Sequence, residues 1–309
     1  MSNLSAPHFH NEVAAYAFVE ARLWPNGPVC PHCGGFKRIY ELKGKSTRIG
    51  VRKCGQCRKP FTVKVGTVFE KSHVPMRVWL QAIYLMAASK KGFSANQMSR
   101  TLGVDIKTGW FIEHRLREAM RDGALAPFGA NGGMVEVDET FQGQNPDAPP
   151  SKMAIRNLNA VMTLIDRDTG RARSMVVDKL NAEEIAKILT ANISREARLM
   201  TDDARHYKPV GKLFAEHQQV AHARGEYVRK GDVTIHTNTV EGYYSVFKRG
   251  MRGVYQHCAK KHLHRYAAEF DFRYSNRVAL GVNDTQRADI LLSGVVGKRL
   301  TYKATGGPN

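Results

Sequence analysis

The sequence predicts a multidomain α/β protein. Three observations carry that prediction: two Cys-x-x-Cys pairs near the N-terminus, a helical region interrupted by a glycine-containing turn, and later short apolar runs separated by acids and turn residues. At 309 residues the chain exceeds one typical domain, so two or three modules are expected. A net charge of +19 and a pI near 9.9 point to a polyanionic partner, because neutralising phosphates releases counterions. The charge is uneven. Between Arg22 and Lys64 eleven Lys or Arg face the single acid Glu41, and eleven more between Arg249 and Asn309 face Glu269, Asp271, Asp284 and Asp289. Two basic surfaces are implied, beyond what solubility asks. No apolar run approaches the ~18 residues of a membrane-spanning helix, and the opening Met1-Ser-Asn-Leu-Ser-Ala-Pro-His8 lacks a basic-then-apolar signal pattern. The expected location is the cytoplasm, at the nucleoid, with no membrane partner.

Residues 1–72 are expected to hold an N-terminal helix and a zinc ribbon. Cys30-Pro-His-Cys33 and Cys54-Gly-Gln-Cys57 have the spacing of a four-thiolate zinc site, in which two knuckles close one tetrahedron. A reducing cytoplasm disfavours disulfides, and a redox pair would leave the second pair unexplained. His32 sits inside the first knuckle, but four cysteines already fill the site. Cys258 is left over, as a small core or surface residue. With two net negative charges on the zinc centre the ribbon keeps a positive excess, so it can lie against a phosphate backbone.

Residues 73–124 read as helices. Met76 to Ser89 carries Trp79, Ile83 and Met86 on one stripe, and Ser94 to Leu102, the turn Gly103-Val-Asp105 and Ile106 to Met120 follow. Two helices joined by a short glycine turn resemble a helix-turn-helix, whose second helix enters a major groove; any helical hairpin has the same pattern. Lys107 and Thr108, at the start of the second helix, are the candidate DNA contacts. Trp110 and Phe111 are more often core than contact residues. The glycine-rich end of this region, 125–133, reads as a linker.

From Met134 to residue 280 the order is strand, strand, strand, helix, strand. Val135-Glu-Val-Asp138 alternates, with acids on one face and valines on the other. Asn159 to Asp166 and Ala172 to Val177 flank the hairpin turn Asp166-Arg-Asp-Thr-Gly170, Glu183 to Ile193 reads as a helix, and Ala197 to Asp202 as another strand. Acids on the first and fourth strands give the order of a ribonuclease-H-like core, with a mixed sheet and flanking helices. A third acid is then expected on a later helix, where Glu241 fits. Asn238-Thr-Val-Glu241 also has the form of a capping box, in which Glu241 would hold its own helix N-terminus. Lys248, seven residues on, returns to the Glu241 face. Asp202 and Asp203 point to opposite faces, so only one reaches the site. Glu136 shares the Asp138 face, as an assisting acid or a solvated one. Residues 281–309 read as a basic C-terminal tail.

At this point the chain resembles the insertion-sequence transposases of the ISXO type, a DDE family with an N-terminal zinc ribbon. The resemblance rests on Trp24 to Cys33, Val135-Glu-Val-Asp-Glu-Thr140, Thr201-Asp202 with Tyr207 five residues on, and His236-Thr-Asn-Thr-Val-Glu-Gly-Tyr-Tyr-Ser-Val-Phe-Lys-Arg-Gly250. Gly253 to His257, Lys260-Lys-His-Leu263 and Glu269 to Arg277 extend it. The loop after Thr140, running to Pro150, departs from the family's Gly-Gly-Lys-type continuation. The Tyr207 spacing selects Asp202 over Asp203.

The resemblance implies cleavage of element ends and joining of a 3′-hydroxyl to target DNA. Its expected partners are double-stranded DNA, at terminal inverted repeats and target, and a second copy of the chain. Asp138, Asp202 and Glu241 are expected to hold Mg²⁺ (or Mn²⁺), with Asp138 shared between two ions. Lys248, Arg249 and Arg252 are expected to clamp the DNA backbone. His236 either orients a phosphate or water or bonds locally. The rivals are a non-catalytic DNA-binding regulator, including an inactive remnant, and a nuclease of the same fold.

Overall fold

The structure is a computed structural model that describes residues 3–121, 123, 126–148 and 157–300. Position 125 of the expected linker, the end of the loop to Pro150 and 301–309 of the expected tail lie outside these residues. The chain separates into two units. The first comprises residues 1–89, 93–121 and 282–309, the second 90–92 and 122–281.

In the first unit α1 (Glu12–Leu23) starts at Asn11, whose side chain accepts from Ala14 N–H. Glu12 in turn caps α2 (Met76–Ala88), accepting from Met76 N–H at 2.6 Å and Arg77 N–H at 3.1 Å. The ribbon is a three-stranded antiparallel sheet in which β2 (Arg52–Cys54) lies between β1 (Ile39–Glu41) and β3 (Pro60–Phe61). On α2 the expected stripe of Trp79, Ile83 and Met86 is buried.

Next comes α3 (Ala95–Leu102), capped by Ser94 and ended by Gly103 in the left-handed region at φ 66°, which a side chain there would resist. Then α4 (Ile106–Met120) begins at Asp105, with nearly everything beyond its first turn buried. The stretch from 281, read as a tail, contains a helix, α9 (Asp284–Ser293), opened by a full capping box of Asn283 and Gln286. Its Leu291 and Leu292 are buried and Arg287 donates to Ala87 O at the end of α2, so apolar burial holds this segment as part of the first unit.

The second unit is built on a five-stranded sheet with β4 (Met134–Gln144) in the centre. On one side β4 pairs antiparallel with β5 (Leu158–Asp166), which pairs antiparallel with β6 (Ala172–Val177). On the other side β7 (Arg198–Asp202) and β8 (Glu216–Val220) run parallel to β4. Strand alternation sorts the two faces. Val135, Val137, Met162, Leu164 and Leu199 bury against α5 (Ala182–Asn192) and α6 (Tyr207–Gly211), while Val161 and Ile165 bury against α7 (Asn238–Gly250) and α8 (Lys260–Ser275). Phe128, inside the expected linker, is buried in the first of these clusters through main-chain bonds to Asn192 and Ser194, so the sheet core begins before β4.

A polar clasp fixes α7 and α8 to β6: Asp271 accepts from Ser174 N–H, Ser174 Oγ and Tyr243 Oη, all between 2.6 and 2.7 Å. Gly250 leaves no room for a side chain, since a Cβ there would sit 2.4 Å from the Phe270 ring and 2.5 Å from Lys91 O. A π-helical turn, Met251–Tyr255, follows. No helix among the described residues is long and apolar enough to cross a membrane.

Candidate active site and metal centre

The four thiols meet. Cys30 and Cys57 sulfurs lie 3.6 Å apart and Cys33 and Cys54 sulfurs 3.7 Å apart, with all four within 4.8 Å of one another. A tetrahedron with Zn–S bonds of about 2.3 Å has edges of about 3.8 Å, so the spacing is that of a thiolate cage. Main-chain N–H groups of Cys57 and then Gln56 point at the Cys54 sulfur and pull its pKa down to about 7. Cys33 goes the other way: against a main-chain bond from Gly35, desolvation and then the neighbouring sulfurs push it up to about 12, so an arriving ion must displace protons to complete the cage. His32 is not part of the cluster, and Cys258 packs half-buried beside α7 and α8.

The acidic site is assembled from the second unit. Alternation puts Glu136, Asp138 and Thr140 on the sheet face that meets α7. The parallel register pairs Glu136 with Met200, and carried two residues further it sets Asp138 level with Asp202, where pairing has stopped. Both even-numbered acids thus face the same way, at the strand ends. Glu241 comes from the first turn of α7. Tyr244, one turn on, donates to Asp138 O at 2.5 Å and anchors that helix to β4.

The Asp138 pKa is raised to about 7, chiefly by burial and then by the charges of Glu139, Asp202 and Glu241, against a stabilising bond from Glu139 N–H. Asp202 is also raised, by burial first and Glu139 next. The carboxylates sense one another, yet they do not close as the thiols do: no three carboxylate or imidazole groups among the described residues come within 4.8 Å of one another. A set of hard oxygen donors, in which Asp138 and Asp202 are pushed upward first by burial and then by neighbouring charge, fits a divalent cation in chemical type.

Several groups that build this site have no mark in the sequence pattern. Glu139, on the opposite face from Asp138, accepts from the buried Tyr207 hydroxyl and lies 3.3 Å from His206 Nε2. That bond, with help from Asp202, raises the His206 pKa. Burial, then Glu139, pushes the Tyr207 hydroxyl well above its ordinary range.

Glu136 is neither an assisting acid nor a solvated one. It is fully buried, takes the Arg167 guanidinium at 2.6 Å, and caps α7 by accepting from Val240 N–H at 2.9 Å. The capping-box alternative for Glu241 is accordingly not formed; Glu241 instead pairs with His222 at 3.3 Å. Arg167 also donates to Thr234 O, His236 O and His236 Nδ1, which fixes the chain entering α7. His236 is held below its usual pKa by burial and then by Arg167, so it stays uncharged and bonds locally.

Comparisons with known proteins place these features in one family. Residues 131–275 match the ISXO2-like transposase domain and residues 10–60 the transposase zinc-ribbon domain. A relative named "Uncharacterized protein in transposable element ISH50", from Halobacterium salinarum, is 30% identical over 270 residues, covering 81% of this chain and 86% of its own. The chain belongs to the ISXO2-like transposase family. A solved chain from the simian T-cell lymphotropic virus intasome, in complex with PP2A regulatory subunit B56 gamma, is 10% identical. It covers 62% of this chain and 65% of its own at a TM-score of 0.29, too distant to support any argument.

The transposase domain match spans Asp138, Asp202, Glu241 and Lys248, and the zinc-ribbon match spans all four clustered cysteines. On α7, Lys248 is exposed with its ammonium 6.0 Å from the Tyr244 ring centre, on the same face as Glu241. Arg249 is folded back onto Ser245, and Arg252 is exposed on the π-helical turn. In the first unit Lys107 is exposed, whereas the Thr108 hydroxyl is engaged by Asp105 at 2.6 Å. Trp110 lies tilted at 44° against His114 with ring centroids 3.9 Å apart, and Phe111 lies under Arg115 at 4.2 Å, so both serve packing.

Proposed function

We propose that this transposase cuts the ends of an insertion sequence and joins them to target DNA by metal-dependent phosphoryl transfer. The observation that carries the reading is the convergence of Asp138, Asp202 and Glu241 from two strands and a helix, close enough that each of the other two acids raises the Asp138 pKa. In this reading the sheet, with its antiparallel β6-β5-β4 half and parallel β7 and β8, is a ribonuclease-H-like core spanning 134–280. Residues 1–72 supply the N-terminal helix and ribbon, and 73–124 a helix-turn-helix built on α3 and α4.

Asp138, Asp202 and Glu241 would hold Mg²⁺ or Mn²⁺, which would supply activation of a water or 3′-hydroxyl and charge neutralisation at the departing oxygen. The chain's own contribution is placement. Tyr244 fixes the main chain of Asp138, the Glu136–Arg167 pair holds the start of α7, and Lys248 offers a cation beside the acids for a backbone phosphate. Arg249 reaches DNA once it leaves Ser245, and Arg252 extends the same basic stretch. Only the first turn of α4 is open to a groove, so Lys107 makes the contact there. Thr108 would have to release Asp105 to donate, and its role is to shape that turn. Two copies acting on two ends complete the assembly.

The test is an end-cleavage and strand-transfer assay on matched terminal DNA with Mg²⁺. Wild type is expected to give cut and joined products, and Asp138→Asn to bind DNA equally while losing both by at least about 10³-fold, in line with removal of a group acting only in the transition state. Cutting without joining would make the protein a nuclease, and binding without either a DNA-binding regulator.

A further inference from the structure

His222 follows β8 in a single 3₁₀ turn closed by Gly225 in the left-handed region. Its Nε2 lies 3.3 Å from Glu241 Oε1 and 2.9 Å from Thr237 Oγ1. The other ring nitrogen, Nδ1, is buried with no hydrogen-bond partner. A proton there would be an orphaned donor, so the proton sits on Nε2, where Thr237 Oγ1 accepts it at 2.9 Å and Glu241 Oε1 lies at the longer 3.3 Å on the same side.

The support behind it is built for this bond. Thr237 occupies the N-cap of α7, where a threonine hydroxyl ordinarily accepts from the first turn of the helix. It makes no such bond. Glu136 has taken Val240 N–H, which leaves the hydroxyl of the fully buried Thr237 for His222. Strand β4 thus caps the helix from outside, and the freed threonine orients the imidazole against the acid.

We propose that His222 is a positioning residue for Glu241, its Nε2–H holding one carboxylate oxygen so that the other is presented to the site, thereby setting the site's affinity for a divalent ion. This rests on the reading of Asp138, Asp202 and Glu241 as metal-holding acids. The Glu241 side chain is 40% exposed, so without a partner it samples many rotamers that binding must then freeze. Groups that hydrogen-bond a ligating side chain typically change metal affinity by about 10–100-fold.

The test uses the full-length, zinc-containing protein and Mn²⁺ as probe, with free Mn²⁺ read by electron paramagnetic resonance. His222→Phe is expected to weaken Mn²⁺ binding about tenfold or more. It should raise the Mg²⁺ needed for half-maximal cleavage more than it lowers the rate at saturating Mg²⁺. His222→Gln, whose amide N–H can occupy the Nε2 position, recovers much of the affinity, and Thr237→Val shifts it in the same direction as His222→Phe but less. Melting temperature and DNA binding without added divalent ion report folding, and His222→Ala replaces the phenylalanine variant if that one does not fold. Unchanged Mn²⁺ affinity on losing the imidazole, or a glutamine variant no better than phenylalanine, overturns the proposal. Glu241→Gln is measured in parallel: if it binds Mn²⁺ as tightly as wild type, it is the reading of the acids that fails, whatever His222 does.

Discussion

The thiol cluster and the acidic site collect candidate metal-binding groups by opposite routes. In the ribbon, each Cys-x-x-Cys knuckle brings two ligands together within four residues, and a small sheet closes the two halves to 3.6 and 3.7 Å between sulfurs. In the second unit each acid comes alone from a different element, and the spacing stays wider than 4.8 Å for any trio. The physical difference is charge. A thiol can stay protonated until metal displaces the proton, whereas ordinary carboxylates are already charged and repel one another. In the acidic site burial first, and the neighbouring charges after it, raise the Asp138 pKa to about 7. A local motif therefore yields a closed cage, and a dispersed one yields a strained pocket that an ion would relax.

Removing zinc is the strongest way to probe the contrast. Structural zinc in small modules carries about 10–16 kcal/mol of apparent binding free energy, so chelation or Cys54→Ser should unfold the ribbon, seen as loss of its amide signals with zinc release. A ribbon that keeps those signals without zinc would mean the cage is held by its sheet.

Next in size is the distant pair behind the acids. Arg167→Met leaves Glu136 charged, buried and unpaired, and breaking such a pair costs about 3–5 kcal/mol. The melting temperature should fall, and Arg167→Met/Glu136→Gln should restore part of the loss. A near-neutral single variant would show that the support of α7 lies elsewhere.

The smallest effect is the most diagnostic of strain. Between pH about 4 and about 7 folded Asp138 keeps a proton that the unfolded chain has lost, so without divalent ions stability falls as pH rises through that window. A shift of about three units at about 1.4 kcal/mol each sets an upper bound near ~4 kcal/mol. Asp138→Asn should therefore melt higher than wild type at pH 8 without metal, match it near pH 4, and lose the stabilisation that Mg²⁺ gives wild type. Equal melting at both pH values would remove the idea of a strained acid.

Much of this was legible along the chain because the signals are short-range. The knuckles, the acids at strand ends, the alternation that sorts Val135 and Val137 from Glu136 and Asp138, and the apolar stripe of α2 all follow from spacing. The helix in 284–293 was legible too, through Asn283 and Gln286, but the basic residues that follow it, Lys298, Arg299 and Lys303, masked it. Glu139, Arg167, His206 and His222 were not legible. Their partners lie 15 to 69 residues apart along the chain, as between His222 and Thr237 or Arg167 and His236, and no periodicity links such positions.

By itself, then, the sequence determined which residues could bind metal and which faces they would occupy, because thiol spacing and strand parity are properties of neighbouring bonds. Only the tertiary structure decided what each acid does. Glu136 and Glu241 look equally available in the sequence, yet packing buries the first as the cap of α7 and leaves the second beside His222. The reason is energetic: the Arg167 guanidinium and the Val240 main-chain N–H arrive together on Glu136 and offset the cost of burying it, and that coincidence is made by the fold.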